Sequence, residues 1–106
     1  MRSLAMIAAL VLYATALRAA PVMTYGVGAG TSCGTWLDHR QRGEWFDMGN
    51  WALGFISGAG IYGNVVNPLG KTDADGVLYW LDNYCRRDPS GYFSEAVKAF
   101  INAHAQ

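Results

Sequence analysis

A chain of 106 residues, with eight Lys and Arg against eight Asp and Glu, has room for one domain. It contains no basic run of the kind that grips nucleic acid or an anionic membrane surface.

The N-terminus separates from the rest by composition. Met1-Arg2 is a short positive start, and Ser3 to Leu17 is almost wholly apolar and uncharged. Ala14-Thr15-Ala16 and then Ala19-Ala20 follow, before Pro21. A charged start, an apolar stretch and a small-residue cleavage site describe a secretory signal peptide over residues 1–20. A membrane span needs about 20 apolar residues, and this run stops short at Arg18. Cleavage is expected between Ala16 and Ala20, leaving the remainder as an exported protein. Removing Arg2 and Arg18 leaves six basic and eight acidic residues, a net charge of −2.

The two cysteines, Cys33 and Cys85, both lie in the exported part. An even, minimal count in an oxidising compartment predicts that they pair, two free thiols being the alternative. The pair closes a loop of about 53 residues and contributes roughly 4 kcal/mol in the chain-entropy model. That rivals the net stability of a small domain, about 5 kcal/mol at the low end.

Residues 21–30 are Gly-rich, with Tyr25-Gly26-Val27-Gly28-Ala29-Gly30, and read as a flexible lead-in. The helical domain then covers 31–106. A first helix runs from Thr31 or Ser32 to Arg42: Cys33, Trp36, Leu37 and Arg40 share a stripe, Ser32 caps the start and Gly43 ends it. A second spans Asp47 to about Gly60 on the face of Trp51, Ala52, Phe55, Ile56 and Ala59. Gly54 and Gly58 fall one turn apart on it, which predicts the close approach of another helix. Residues 61–71 read as a loop, with Tyr62, Val65, Val66 and Leu69 among turn formers and expected to tuck inward, an exposed contact surface being the alternative.

The third helix begins at a capping-box-like Thr72 and Asp75, buries Val77, Leu78, Leu81, Tyr84 and Cys85, and ends at Arg86-Arg87. For the fourth, Asp88 is a candidate N-cap with Pro89 at the first helical position. Phe93, Ala96, Val97, Phe100 and Ile101 form its inner face. No alternating strand pattern appears. The fold class is all-α, a small four-helix domain.

Chemistry-bearing patterns are sparse. His39 and His104 have no metal-ligand spacing and read as solvated surface, so no metal site is expected. Asp73-Ala74-Asp75-Gly76 lacks the sixth-position Gly and twelfth-position Glu of a calcium loop. No nucleophile has a base at helical spacing, and no cofactor is implied. Trp45 and Phe46, after Gly43-Glu44, are hard to bury and are candidates for a partner interface, as are Tyr62 and Asn64 in the 61–71 loop.

The blocks Ser32-Cys33-Gly34-Thr35-Trp36-Leu37, Trp51-Ala52-Leu53-Gly54-Phe55-Ile56-Ser57-Gly58, Thr72-Asp73 and Trp80-Leu81-Asp82-Asn83-Tyr84-Cys85 together resemble the Rap/Tai immunity-protein family. The resemblance spans about residues 31–101. It implies a periplasmic helical fold like that of the acid chaperone HdeA, with one interhelical disulfide. It also implies a non-enzymatic role: steric blockade of a cell-wall amidase delivered by a type VI secretion system. The partner is then a protein, and a homodimer is left open. The alternative is acid-stress chaperoning of the HdeA kind, which a chain with 15% charged residues and an uncharged C-terminus suits less well.

Overall fold

A computed structural model describes residues 22–65 and 67–105. The expected signal peptide of residues 1–20 lies outside the described residues, as does Val66. Four helices follow in order: α1 Cys33–Arg42, α2 Phe46–Tyr62, α3 Ala74–Arg87 and α4 Phe93–His104. Among the described residues the only β-type pairing is a single bridge between Ser32 and Tyr92.

The start and end of α1 follow from its sequence. The Ser32 hydroxyl accepts the Thr35 amide at 3.1 Å, and Gly43 closes the helix in the left-handed conformation at φ 69°. Two further amides at the N-terminus find partners elsewhere in the chain. Cys33 N–H donates to Gly91 O, and Gly34 N–H to Pro89 O, each at 2.8 Å. Phe93 N–H donates back to Thr31 O at 2.8 Å.

These bonds correct the expected start of the fourth helix. Asp88 is not its N-cap and Pro89 is not helical. Residues 88–91 form a turn in which Gly91 N–H meets Asp88 O at 3.2 Å, and α4 begins at Phe93. A helix starting at Pro89 would engage the Pro89 and Gly91 carbonyls along its own axis. Instead they satisfy the orphan donors of α1. The capping box at Thr72 also shifts: Asp73 is the N-cap of α3, accepting the Gly76 amide at 2.8 Å. Its carboxylate at the helix start suits the dipole better than a hydroxyl.

The core forms where the four apolar stripes meet. Cys33, Trp36, Met48, Ala52, Ile56, Val77, Leu78, Leu81, Cys85, Phe93, Ala96, Val97, Phe100 and Ile101 are all buried. Trp36 stacks on Phe93 with ring centroids 4.8 Å apart. The predicted sulfur pair is present: Cys33 at the first turn of α1 is bonded to Cys85 near the end of α3, and both are fully buried. A single link therefore fixes one end of α1 to the far end of α3.

The lead-in lies against the body of the domain. The Trp51 indole N–H donates to Tyr25 O at 2.8 Å. Gly28 sits directly on the Trp51 ring, where a Cβ would come within 2.1 Å of Cε3. Gly26 adopts φ 108° and also faces that indole. The glycines here let backbone touch an aromatic face.

Gly54 and Gly58 do not work this way. A Cβ at either would meet nothing within 4 Å, and Gly54 is exposed. The expected close approach of another helix at this pair is absent. The glycines on α2 that do admit a neighbour are Gly49, whose missing Cβ leaves room for the Trp45 ring at 2.9 Å and Leu78 Cδ2 at 3.4 Å, and Gly60, where Pro68 Cδ would lie at 3.3 Å. Gly54→Ala and Gly58→Ala should therefore each raise stability, by about 1 kcal/mol from helix propensity alone. Urea unfolding midpoints of the single variants and the pair will show it; a loss at either position would mean that its surface is occupied.

Candidate functional site

Two charged side chains, Arg40 and Asp82, form the polar centre of the domain. Asp82 is only 4% exposed, on the inner side of α3 beside Leu81. Trp36 Nε1–H donates to its Oδ1 at 2.9 Å. Arg40 reaches it two-fold: Nε donates to Oδ1 at 3.0 Å, and Nη2 to Oδ2 at 3.0 Å. This forked geometry is what guanidinium and carboxylate groups do best together. Both oxygens are engaged by α1, so Asp82 is a clamp between helices rather than a free proton acceptor. A polar cleft of about 650 Å³ runs over this seam, lined also by Gly34, Leu37, Asp38, Gln41 and Arg86.

The signal for this pair was present but needed two stripes read together. Arg40 continues the buried stripe of Cys33, Trp36 and Leu37. Asp82 lies one turn from both Leu78 and Cys85. An acid and a base on two facing apolar stripes are a candidate buried pair.

Arg40 also organises aromatic rings. Its guanidinium carbon lies 5.6 Å from the Trp36 ring centroid, 5.3 Å from Trp45 and 6.0 Å from Tyr79. Trp45, the first of the predicted interface residues, is half-buried by this arrangement and by Gly49 beneath it. Phe46, its neighbour, is 67% exposed, with its ring 6.0 Å from that of Trp45. Tyr79, which sequence reasoning did not single out, is 65% exposed and joins them through Arg40.

The other predicted contact residues stand elsewhere. Tyr62, at the C-terminal end of α2, is 91% exposed, and Asn64 beyond it is exposed too. Phe46 and Tyr62 are separated by the length of α2, about 24 Å at helical rise. The four candidate residues thus form two corners rather than one patch. In the 61–71 loop, Val65 and Leu69 pack on the core as expected, and Pro68 is buried. Tyr62 does not tuck. An open, largely apolar hollow of about 280 Å³ lies between Ile56, Gly60 and Ile61 of α2 and Pro68-Leu69.

His104 differs from the solvated residue expected. Its ring stacks on Phe100 with centroids 4.0 Å apart, meets the edge of Trp80, and Nδ1 lies 2.8 Å from Phe100 O. The apolar stripe of α4 continues through it to the end of the helix.

The chain matches no family model, no curated protein and no solved structure. What is established of it is accordingly the all-helical fold, the single disulfide and the geometry above. Among the described residues no helix is long and apolar enough to cross a membrane.

Proposed function

We propose that this chain is an exported binding protein of the immunity type, acting in the periplasm by covering the active site of a type VI secreted peptidoglycan amidase. The observation that carries the reading is the contrast between a closed core and exposed aromatic corners. The core is sealed by a disulfide and a satisfied ion pair. Phe46, Tyr79 and Tyr62 nevertheless remain mostly in water. Large rings left exposed on a small domain suit contact with a protein surface.

Two further points support it. The disulfide fits an oxidising compartment. The blocks that resemble the Rap/Tai proteins also include the residues that meet in space: Cys33 and Trp36 from one, Asp82 and Cys85 from another. An HdeA-like arrangement of the helices is part of the same proposal. In this reading the domain needs no cofactor and performs no chemistry. It blocks by shape, with the Trp45-Phe46 corner or the Tyr62-Asn64 corner against the amidase.

The test is protection. A type VI secreted peptidoglycan amidase from the same organism is sent to the periplasm of a susceptible bacterium, with and without this protein. Expression should restore growth, and the two proteins should co-elute as a complex. The doublets Trp45→Ala/Phe46→Ala and Tyr62→Ala/Asn64→Ala separate the corners: the one in contact should lose most of the protection. No rescue and no complex would overturn the proposal.

A further inference from the structure

We propose that Trp45, Phe46 and Tyr79 form one composite docking surface that takes a protein segment presenting an arginine or lysine side chain. The three rings come from the start of α2 and the middle of α3. Arg40 links two of them, its guanidinium lying 5.3 Å from the Trp45 centroid and 6.0 Å from that of Tyr79, and Phe46 adjoins Trp45 with ring centroids 6.0 Å apart. Phe46 and Tyr79 turn about two-thirds of their surface to water. Aromatic faces attract cations through their quadrupole, and Trp, Tyr and Arg are the residue types that most often anchor protein interfaces.

Charge decides which partner fits. Arg40 does not repel an incoming cation strongly, because Asp82 neutralises it through the forked contact. Glu44 and Asp47 flank the Trp45-Phe46 pair in sequence and are exposed. Asp75 is exposed one helical turn before Tyr79. The basic group nearest in sequence, Arg42, is taken up by Asp38 at 2.9 Å and Glu44 at 3.5 Å. Arg86 lies about 10 Å further along α3, bonded to Asn83. With Glu44 shared with Arg42, the exposed charges next to the rings in sequence that make no ion pair among the described residues are the carboxylates of Asp47 and Asp75. An acidic partner would meet repulsion there, whereas a basic one gains both ring and carboxylate contacts.

The surface deepens the binding reading given above for one of its two corners. Its test uses no amidase, so the two can fail separately. The oxidised full chain is titrated by heteronuclear NMR with an acetylated, amidated Gly-Arg-Gly-Arg-Gly peptide, and separately with the matching Gly-Glu-Gly-Glu-Gly peptide. The arginine peptide should give saturable shifts at the Trp45 indole N–H and at the Phe46 and Tyr79 amides; the glutamate peptide should not. Phe46→Ala and Tyr79→Ala should each weaken binding about two- to fivefold, as loss of one exposed cation–π contact predicts. Both rings are exposed, so unchanged spectra elsewhere will show that the fold survives. Asp47→Asn should weaken binding and flatten its salt dependence while leaving both rings in place. Equal shifts with both peptides, shifts centred on Tyr62 and Asn64, or no saturable shift at all would overturn the proposal.

Discussion

Replacing Asp82 by alanine is expected to destabilise the oxidised protein by about 3 kcal/mol, the low end for breaking a buried ion pair. The substitution strands two donors at once. The Trp36 indole N–H is buried with no other acceptor described, and a lost buried hydrogen bond alone costs about 1–3 kcal/mol. The Arg40 guanidinium loses its counter-ion in a site where its side chain is 21% exposed. That residual exposure lets water reach it, which is why the low end applies. Arg40→Ala should cost a similar amount, since the Asp82 carboxylate then keeps only the Trp36 donor. The double variant Arg40→Met/Asp82→Leu should recover much of the loss, because no charge is left buried. Arg42→Ala serves as the control: its partners Asp38 and Glu44 are exposed, and such pairs contribute under about 1 kcal/mol. Urea unfolding followed by tryptophan fluorescence reads all four. An Asp82→Ala variant as stable as wild type would show that the clamp contributes nothing net.

Removing the sulfur link should have a still larger effect. Cys33 and Cys85 are 52 positions apart, and opening a loop of that size releases chain entropy of about 4 kcal/mol. The pair Cys33→Ala/Cys85→Ala should therefore lose most of the stability of so small a domain, with a sharply lower urea midpoint. Because both cysteines are fully buried members of the one core, truncation to alanine also removes packing. The Cys33→Ala/Cys85→Ala loss should exceed that of Asp82→Ala alone. The two effects should not add simply, since both act on the seam between α1 and α3.

Local rules carried the sequence reading a long way. Ser32 and Gly43 bound α1 as their chemistry demands, and the stripe of Leu78, Leu81 and Cys85 placed the second cysteine inside. The sulfur pair followed from the even count of cysteines and the expected export. The readings that failed are those in which a residue has two local uses and a distant group chooses between them. Asp88-Pro89 is a good helix start in isolation, yet the free amides of Cys33 and Gly34 claim the carbonyls of residues 89 and 91. Gly54 and Gly58 look like a packing notch, but no neighbour reaches them, while Gly26 and Gly28 look like a bare linker and lie on Trp51.

The same limit applies to the candidate site. Phe46 and Asn64 are exposed as their places at a helix start and among turn formers suggest, whereas Tyr62, expected to tuck inward, stands in water at the end of α2. Tyr79 was not legible, because its link to Trp45 runs through Arg40, which lies near both rings while bonding Asp82, 42 residues away in sequence. Two stripes had each to be known as buried before their charged members became partners.

Helices α1 and α3 are held together as one unit, covalently at Cys33–Cys85 and by the Trp36–Arg40–Asp82 contacts. The most direct test is urea unfolding of the wild-type oxidised protein and of the same protein after full reduction, followed by near-ultraviolet circular dichroism. The oxidised form should unfold in one cooperative transition, and reduction should shift its midpoint down by the greater part of the stability or abolish fixed tertiary structure altogether. A reduced protein that unfolds just as cooperatively, at the same midpoint, would contradict the account.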